Sequence, residues 1–434
     1  ITQNYGFADS MAVVVDGFTI QNGTAANGGG VNITANTTIS NCVIKSNKAS
    51  ENGSAIYATS AVIKNCQIVG NTYTNRLYYT VRLNKCVMDS CVLKNNKTYY
   101  NSAICAENNS EVTNCEIEGN SSYNNNIGSY LNSSKISNCK FVKTSGAGAG
   151  VELRNASVMR DCQFEENTNV NKQIIYAADE NVLVEDCKIR NNTSTSSSSL
   201  IYLSYSRINR CHITGNTVSS NIITSYNSKA TISNCLICDN TCNSDYRTVY
   251  MNSGVSMINC TVARNVTKNA NVIYMYNSTL KNSIIVGNTT NSNYSNILAK
   301  EGTNTIQNNM FEGTFVDGNM DGSMAYAAFT DAENGDYSLS ANSYCINAGE
   351  DVADSLDLFG NARKQGGAVD MGAIESSHTK APALKSNEIV YVKSGSNGDG
   401  TSWESAFGDI PQAIFAASAD GKKHQIWVAA GTYY

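Results

Sequence analysis

Cysteine is the residue in this chain best suited to act as a nucleophile, a metal ligand or a cross-link, and it occurs fifteen times in 434 residues. Ten of the fifteen fall on one ladder: Cys42, Cys66, Cys91, Cys115, Cys139, Cys162, Cys187, Cys211, Cys235 and Cys260. Successive members are 23, 24 or 25 residues apart, and Ser283 continues the series. A zinc site needs paired ligands at short spacing, whereas a constant step of this size marks a solenoid. Stacked in register, such cysteines have parallel Cβ vectors. Their sulfurs then stay near the strand spacing of about 4.8 Å, too far apart to bond without local distortion. The column is therefore expected to be a row of small buried apolar side chains. Cys238 and Cys242, which flank Asn240 in one turn, are the pair best placed to be exposed or bridged.

General acid/base chemistry would fall to histidines and carboxylates. The three histidines, His212, His378 and His424, lie in different regions, and His212 reads as a solvated strand residue. Carboxylates in the repeats are scattered, among them Glu116, Glu118, Glu152, Asp161, Glu165, Glu166, Glu185 and Asp186, and read as a hydrated face. Nearer the C-terminus, Asp331, Glu333 and Asp336 surround Gly335 and are expected to shape turns rather than hold calcium. Arg363, Asp370 and Glu375 have the residue types of an active-site trio, but an ion-pair cluster is the expectation for them. No metal and no cofactor is called for.

Binding chemistry has a clearer pattern. Tyr57, Tyr130, Tyr202 and Tyr274 each precede their ladder position by nine residues, and Tyr176 and Tyr250 fall close to the same track. Three of the four follow an inward Ile, so they should point outward. Aromatic rings in a row can stack on sugar faces or anchor a protein partner, or simply stack on one another along a rod.

These residues need elements that repeat with them. Two residues after each ladder position stands an apolar residue, from Ile44, Ile68 and Leu93 to Val262 and Ile285. Strand side chains alternate, so ladder cysteine and apolar residue share the inward face. Five residues after the ladder comes Asn: Asn47, Asn71, Asn96, Asn120, Asn167, Asn192, Asn216, Asn240, Asn265 and Asn288, with Thr144 the exception. Asn tolerates the left-handed conformation of a turn, and stacked coil on coil it forms an amide ladder. A second apolar pair precedes each ladder position, as in Ala55-Ile56, Leu200-Ile201 and Val272-Ile273. The period is too short for helix-pair repeats, and the segments are β-branched. The expected fold is all-β: a right-handed parallel β-helix of about eleven coils, on the order of 50 Å long at the usual strand spacing.

The motif resembles the FxxN repeats of polymorphic outer membrane proteins. Phe164-Glu165-Glu166-Asn167 fits literally, most coils have Ile for Phe, and Gly53-Ser54-Ala55-Ile56 is a degenerate partner motif. Residues 329–375, with Ser343 to Gly349, Gly360 to Arg363 and Val369 to Glu375, look like the closing segment of bacterial right-handed β-helix surface proteins with a choice-of-anchor domain. The implied organisation is a β-helix over 1–310, a cap over 311–375, a linker over 376–387 containing Pro382, and a segment over 388–434. That last segment resembles the start of a β-helix: a strand, a helix begun near Asp409 and Pro411 and ended at Gly421, then a first coil. It would belong to a following module or dock on a neighbouring copy, which predicts end-to-end assembly.

Net charge is −5 with no basic run, which argues against nucleic acid and anionic membrane partners. No apolar stretch is long enough to span a bilayer as a helix. Only 15% of residues are charged, which suits stacked coils, where like charges would repel. The first residue is Ile1, so the chain reads as a processed piece of a longer protein. The expected function is a non-catalytic extracellular or cell-surface module, a stalk, fibre unit or adhesin with glycans or a host surface as partner. The alternative is a polysaccharide lyase or glycoside hydrolase, because parallel β-helices host both. The polygalacturonase-like Asn-Thr-Asp and Arg-Ile-Lys motifs are not found here.

Overall fold

A computed structural model describes the chain apart from residues 2–11, 77, 102, 125–127, 146–149, 170–171, 292, 300–301, 313–318, 379–388, 397, 399, 409, 419–423 and 434. Asp409, Gly421 and Pro382 with most of the expected linker thus lie outside the described residues.

Three long parallel sheets of 12, 13 and 14 strands wrap one core in about twelve turns. Within a coil the chain visits them in order. One coil reads Ile56–Thr59 in the first sheet, Ala61–Lys64 in the second and Gln67–Val69 in the third, then a short strand Thr72–Tyr73 and a loop. Each strand pairs with its equivalent one coil away, so Ile44, Ile68, Leu93 and Ile117 form one unbroken inward column. The column continues through Phe141 and Phe164, whose rings lie parallel at 4.6 Å between centroids. The predicted second pairs are also inside: Ala55, Ile56, Leu200, Ile201, Val272 and Ile273 are fully buried.

The corners explain the two ladders. The residue before each ladder cysteine is left-handed, as at Asn41, Asn65, Asn114, Asp186 and Asn234 with φ between 52° and 56°. Asn and Asp adopt this region at low cost. The corner before each ladder asparagine is built the same way, by Ser46, Gly70, Asn95, Gly119, Asn191 or Gly215. The residue preceding the ladder asparagine therefore makes the turn. The ladder asparagine itself points inward: Asn47 through Asn265 are fully buried, and Asn288 is partly so. Its job is hydrogen bonding. Asn192 Oδ1 accepts from the Asn167 backbone N–H at 3.1 Å and from Asn167 Nδ2 at 3.0 Å. Asn192 Nδ2 in turn donates to the Phe164 carbonyl and to Asn216 Oδ1, both at 2.9 Å. A polar column inside an apolar core survives because it satisfies corner amides that no strand can reach.

The cysteine column does similar work. Cys187 Sγ donates to the Glu185 carbonyl at 3.1 Å, and the Cys187 N–H donates to Cys211 Sγ at 3.4 Å. Ser283 fits by hydrogen bonding as well as by size, because its Oγ accepts from the Cys260 N–H at 3.1 Å and donates to the Lys281 carbonyl at 3.0 Å. A third column, legible only in the structure, lines the corner between the first and second sheets. There the Cys86 N–H donates to Ser110 Oγ, the Ser110 N–H to Ser134 Oγ and the Ser134 N–H to Ser157 Oγ. All fifteen cysteines are free and buried, Cys238 and Cys242 included, so the pair singled out as exposed or bridged is neither. Burial pushes Cys242 up to about 12. A thiol reagent is expected to find no reactive group in the native protein and fifteen after denaturation. Native reactivity, or a deficit on unfolding, would contradict the column.

Residues 320–375 close the structure by folding back on the outer side of the third sheet. Leu236, Cys238, Ala263, Ile284 and Val286 make that outer face apolar, and Tyr337, Leu339, Ile346, Leu358 and Met371 cover it. A strand apolar on both faces is one buried on both faces. Polar latches register the cap. Asn282 exchanges two hydrogen bonds with Glu350, and Tyr337 OH donates to Asp239 Oδ2 at 2.7 Å.

Residues 389–433 form a separate small unit. Strands Ile389–Val392 and Gln425–Val428 pair in parallel, with the helix Ile410–Ser418 between them in sequence. Val390, Val392, Phe407 and Ala413 form its core.

Candidate functional site

The six tyrosines singled out by spacing share one column of the first sheet. In register, it reads Tyr57, Arg82, Cys105, Tyr130, Glu152, Tyr176, Tyr202, Thr224, Tyr250, Tyr274. All six rings are half-buried. At Thr224 the gap is filled from two residues along by Tyr226, whose ring lies 6.0 Å from Tyr202 and 5.7 Å from Tyr250. Tyr176 stacks on Tyr202 at 4.8 Å and 9°, and Tyr250 on Tyr274 at 4.7 Å and 3°.

This geometry limits what the column can do. Rings stacked along the rod spend their faces on each other. Arginines cover further faces: Arg154 lies 4.8 Å from the Tyr176 centroid, Arg247 5.2 Å from Tyr274 and Arg82 5.7 Å from Tyr57. What the column offers outward is ring edges and phenolic hydroxyls. Burial, with the Glu152 carboxylate nearby, raises the Tyr130 hydroxyl above its ordinary value, so it stays a protonated donor at neutral pH. Two of these three arginines are ion-paired. Arg82 meets Glu107 at 3.0 Å, and Arg154 meets Glu152 at 2.8 Å and Asp179 at 3.6 Å.

Exposed ring surface sits on the loop edge next to this sheet, at residues the spacing argument passed over. Tyr99 packs edge-on against Tyr73 and Tyr100 at 5.8 and 4.8 Å, and stacks at 5.4 Å on Tyr123. Tyr78 stacks on Tyr100 at 4.9 Å. Tyr123 is 74% exposed and Tyr78 47%. Ring–ring contacts, each worth about 0.5–1.5 kcal/mol, hold these side chains in place while leaving faces open to solvent. Tyr99 and Tyr123 repeat at the solenoid period, each three residues after its ladder asparagine and just beyond the short strand, and Tyr73 lies one position earlier, within its own short strand.

The other chemistry-bearing residues are engaged elsewhere. Coil carboxylates form rungs with cations of adjacent coils: Glu118 with Lys94 at 2.5 Å, Glu185 with Arg160 at 2.9 Å, Asp186 with Arg210 at 2.7 Å, Glu165 with Arg190, and Glu166 with Lys143 at 3.8 Å. His212, expected in solvent, lies under the cap with the Phe359 ring 5.9 Å away, and burial lowers its pKa. Arg363 is buried and donates to the carbonyls of Asp370, Gly372 and Ala373. Asp370 accepts from the Asn347 and Ser376 amides, and Glu375 from the Asp370 and Gln365 amides. Burial pushes Glu375 to about 7. The trio thus ties the cap's backbone together and has no free face for a substrate. Asp331 accepts from the Asn334 N–H and Asp336 from the Ser338 N–H, as turn-shaping residues do. Among the described residues no three of His, Cys, Asp or Glu cluster as metal ligands, and no helix is long and apolar enough to cross a membrane.

A family model described as right handed beta helix region matches residues 102–221 and 149–311. The chain is a right-handed parallel β-helix. No curated protein sequence matches it. Among solved structures it is similar to a pectate lyase, at 13% identity over 78% of this chain and 88% of the other, with a TM-score of 0.41. A mannuronic acid specific polysaccharide family 6 lyase from human gut microbiota is 12% identical over 72% and 85%, with a TM-score of 0.38. The tailspike protein of an E. coli bacteriophage, in complex with a pentasaccharide, is 13% identical over 61% and 62%, with a TM-score of 0.28.

Proposed function

We propose that this right-handed β-helix is a non-catalytic module of a bacterial surface protein that binds a glycan chain along the first sheet and its loop edge. The observation that carries this reading is the tyrosine cluster Tyr73, Tyr78, Tyr99, Tyr100 and Tyr123, with rings fixed by one another and Tyr78 and Tyr123 exposed to solvent. Sugar rings stack their C–H faces on such surfaces while hydroxyls take hydrogen bonds at the edge. The neighbouring column of phenols and paired charges supplies those donors and acceptors in most coils, Cys105 and Thr224 being the exceptions. Because the coil spacing is about 4.8 Å, close to the length of a sugar unit, a chain running along the rod meets a repeated set of partners.

The module works outside the cell as a stalk or adhesive unit. Its FxxN-like coils and choice-of-anchor-like closing segment support that placement. End-to-end association with adjacent modules or copies is the companion reading.

Affinity electrophoresis against a panel of neutral and uronic acid polysaccharides tests the binding claim. Retardation by at least one polymer is expected, and Tyr78→Ala with Tyr123→Ala should weaken it about tenfold, which is about 1.4 kcal/mol, with the far-UV circular dichroism of the β-helix unchanged. Retardation by none of them sinks the glycan reading. Release of new reducing ends or unsaturated products from any polymer sinks the non-catalytic one.

A further inference from the structure

The small unit of residues 389–433 carries an aromatic cluster of its own. Its two strands pair with Tyr391 opposite Trp427. Side chains alternate along a strand, so Val390, Val392 and Ile426 pack toward Ala413 and Ala416 of the helix, and Tyr391, Gln425 and Trp427 take the other face. Trp403 joins them from the segment after the first strand. Its ring meets Tyr391 edge-on at 4.9 Å, and Trp427 meets Tyr391 edge-on at 6.1 Å. Trp427 is 46% exposed and Trp403 38%, and Tyr391, which lies against both, is half-buried. A further strand would add to an edge of this sheet and leave the face open, because strands pair within the plane of a sheet.

The Trp427 indole is held by its Nε1, which donates to Gln425 Oε1 at 3.1 Å. Gln425 is exposed, and the nitrogen of the same side-chain amide remains a donor at the rim of the ring. The rings cross at 63° and 74°, so no parallel stack covers the indoles, in contrast to Tyr176 and Tyr202. Glu404, next to Trp403, is exposed. Hydrogen bonds from its own backbone amide and from Ser402 hold its carboxyl below the usual range, so it is charged at neutral pH. The unit contains no arginine.

What the face offers selects its ligand. At these exposures the three rings present on the order of 300 Å² of aromatic surface. A stable protein interface takes about 800 Å² from each partner. A quaternary ammonium ion is held by rings that close around it and exclude water, whereas both indoles here stand in solvent. A uronate would lack the arginine that pairs a carboxylate and would face Glu404. A neutral sugar meets none of these objections. The C–H face of its ring lies on an indole, and its hydroxyls take hydrogen bonds from the Gln425 amide at the rim. We infer that Tyr391, Trp403 and Trp427 form a binding platform for a neutral saccharide, separate from the tyrosine face of the β-helix.

Both tryptophans of the chain lie in this cluster, so the tryptophan emission of the full chain reports on this face alone. Titration with cello-, manno-, galacto- and xylo-oligosaccharides is expected to change that emission saturably with at least one of them. By isothermal titration, Trp427→Ala should weaken the same binding at least about tenfold, and Gln425→Ala about threefold. Both side chains are exposed and outside the unit's apolar core, so the fold does not depend on them. Trp427→Phe keeps a ring and should recover part of the loss. Tyr78→Ala with Tyr123→Ala should leave this binding unchanged, so the platform and the tyrosine face stand or fall separately. The inference is overturned if no neutral oligosaccharide changes the emission, or if Trp427→Ala binds as tightly as the parent. Tighter binding of a galacturonate oligomer or of choline also overturns it. So does an emission that shifts with protein concentration alone, which would make a second copy the occupant.

Discussion

Asn192→Ala is expected to lower the unfolding free energy by about 3–6 kcal/mol. The alanine leaves the Asn167 N–H without its acceptor, takes one of two acceptors from the Asn167 side-chain amide, which keeps the Phe141 carbonyl at 2.8 Å, and removes a donor from the Phe164 carbonyl. All three groups sit in the fully buried asparagine column. Buried orphans cost about 1–3 kcal/mol each. The molecule contains its own control at Thr144, which occupies the same column. The Thr144 N–H still donates to Asn167 Oδ1 at 3.0 Å, and its Oγ1 turns back to the Val142 carbonyl at 3.3 Å. Asn192→Thr should therefore cost roughly half as much as alanine. Denaturant unfolding measures both. An alanine variant within about 1 kcal/mol of the parent would mean that water or a corner rearrangement replaces the amide.

Phe164→Ala should cost about 3–5 kcal/mol, the usual range for an aromatic core residue. Its ring lies flat on Phe141, and both are almost completely buried. In a solenoid the surrounding coils are fixed by their own ladders and cannot collapse into the void, which places the effect toward the upper end. The column also shows which substitution is mild. Leu93, Ile117 and Ile189 occupy equivalent positions, so Phe164→Leu should cost only about 1–1.5 kcal/mol. Equal losses for Leu and Ala, by the same unfolding measurement, would show that the stack itself and not the filled volume is what matters.

The repeat made the coil architecture readable in advance because a solenoid is local. Each residue meets its equivalent about two dozen positions away, so spacing alone identified the inward Cys42–Cys260 column, the asparagine ladder and the shared track of the six tyrosines. Parity of strand side chains then fixed which faced inward. Tyr99 and Tyr123 keep the same spacing one residue beyond the polar strands Lys97–Thr98 and Ser121–Ser122, where no inward Ile marks the face they take.

Whether a ring offers its face or its edge is not a matter of period. Tyr176 and Tyr202 stack on each other and stay half-buried, while Tyr123 stacks on Tyr99 and remains 74% exposed, and side-chain torsions and neighbours decide between the two. Nor could spacing place the cap. Arg207 meets Asp354 across 147 residues and Tyr337 meets Asp239 across 98, and no repeat links either pair. Those long-range contacts partly cover His212 and bury Cys238. The sequence by itself thus determined the coil, its core and the faces its side chains take, because these are set by nearest-neighbour stacking of one repeated unit. Only the tertiary structure decided where the cap lies and which rings and polar groups remain available to a ligand, because non-repeating segments find their partners through shape and charge at a distance in sequence.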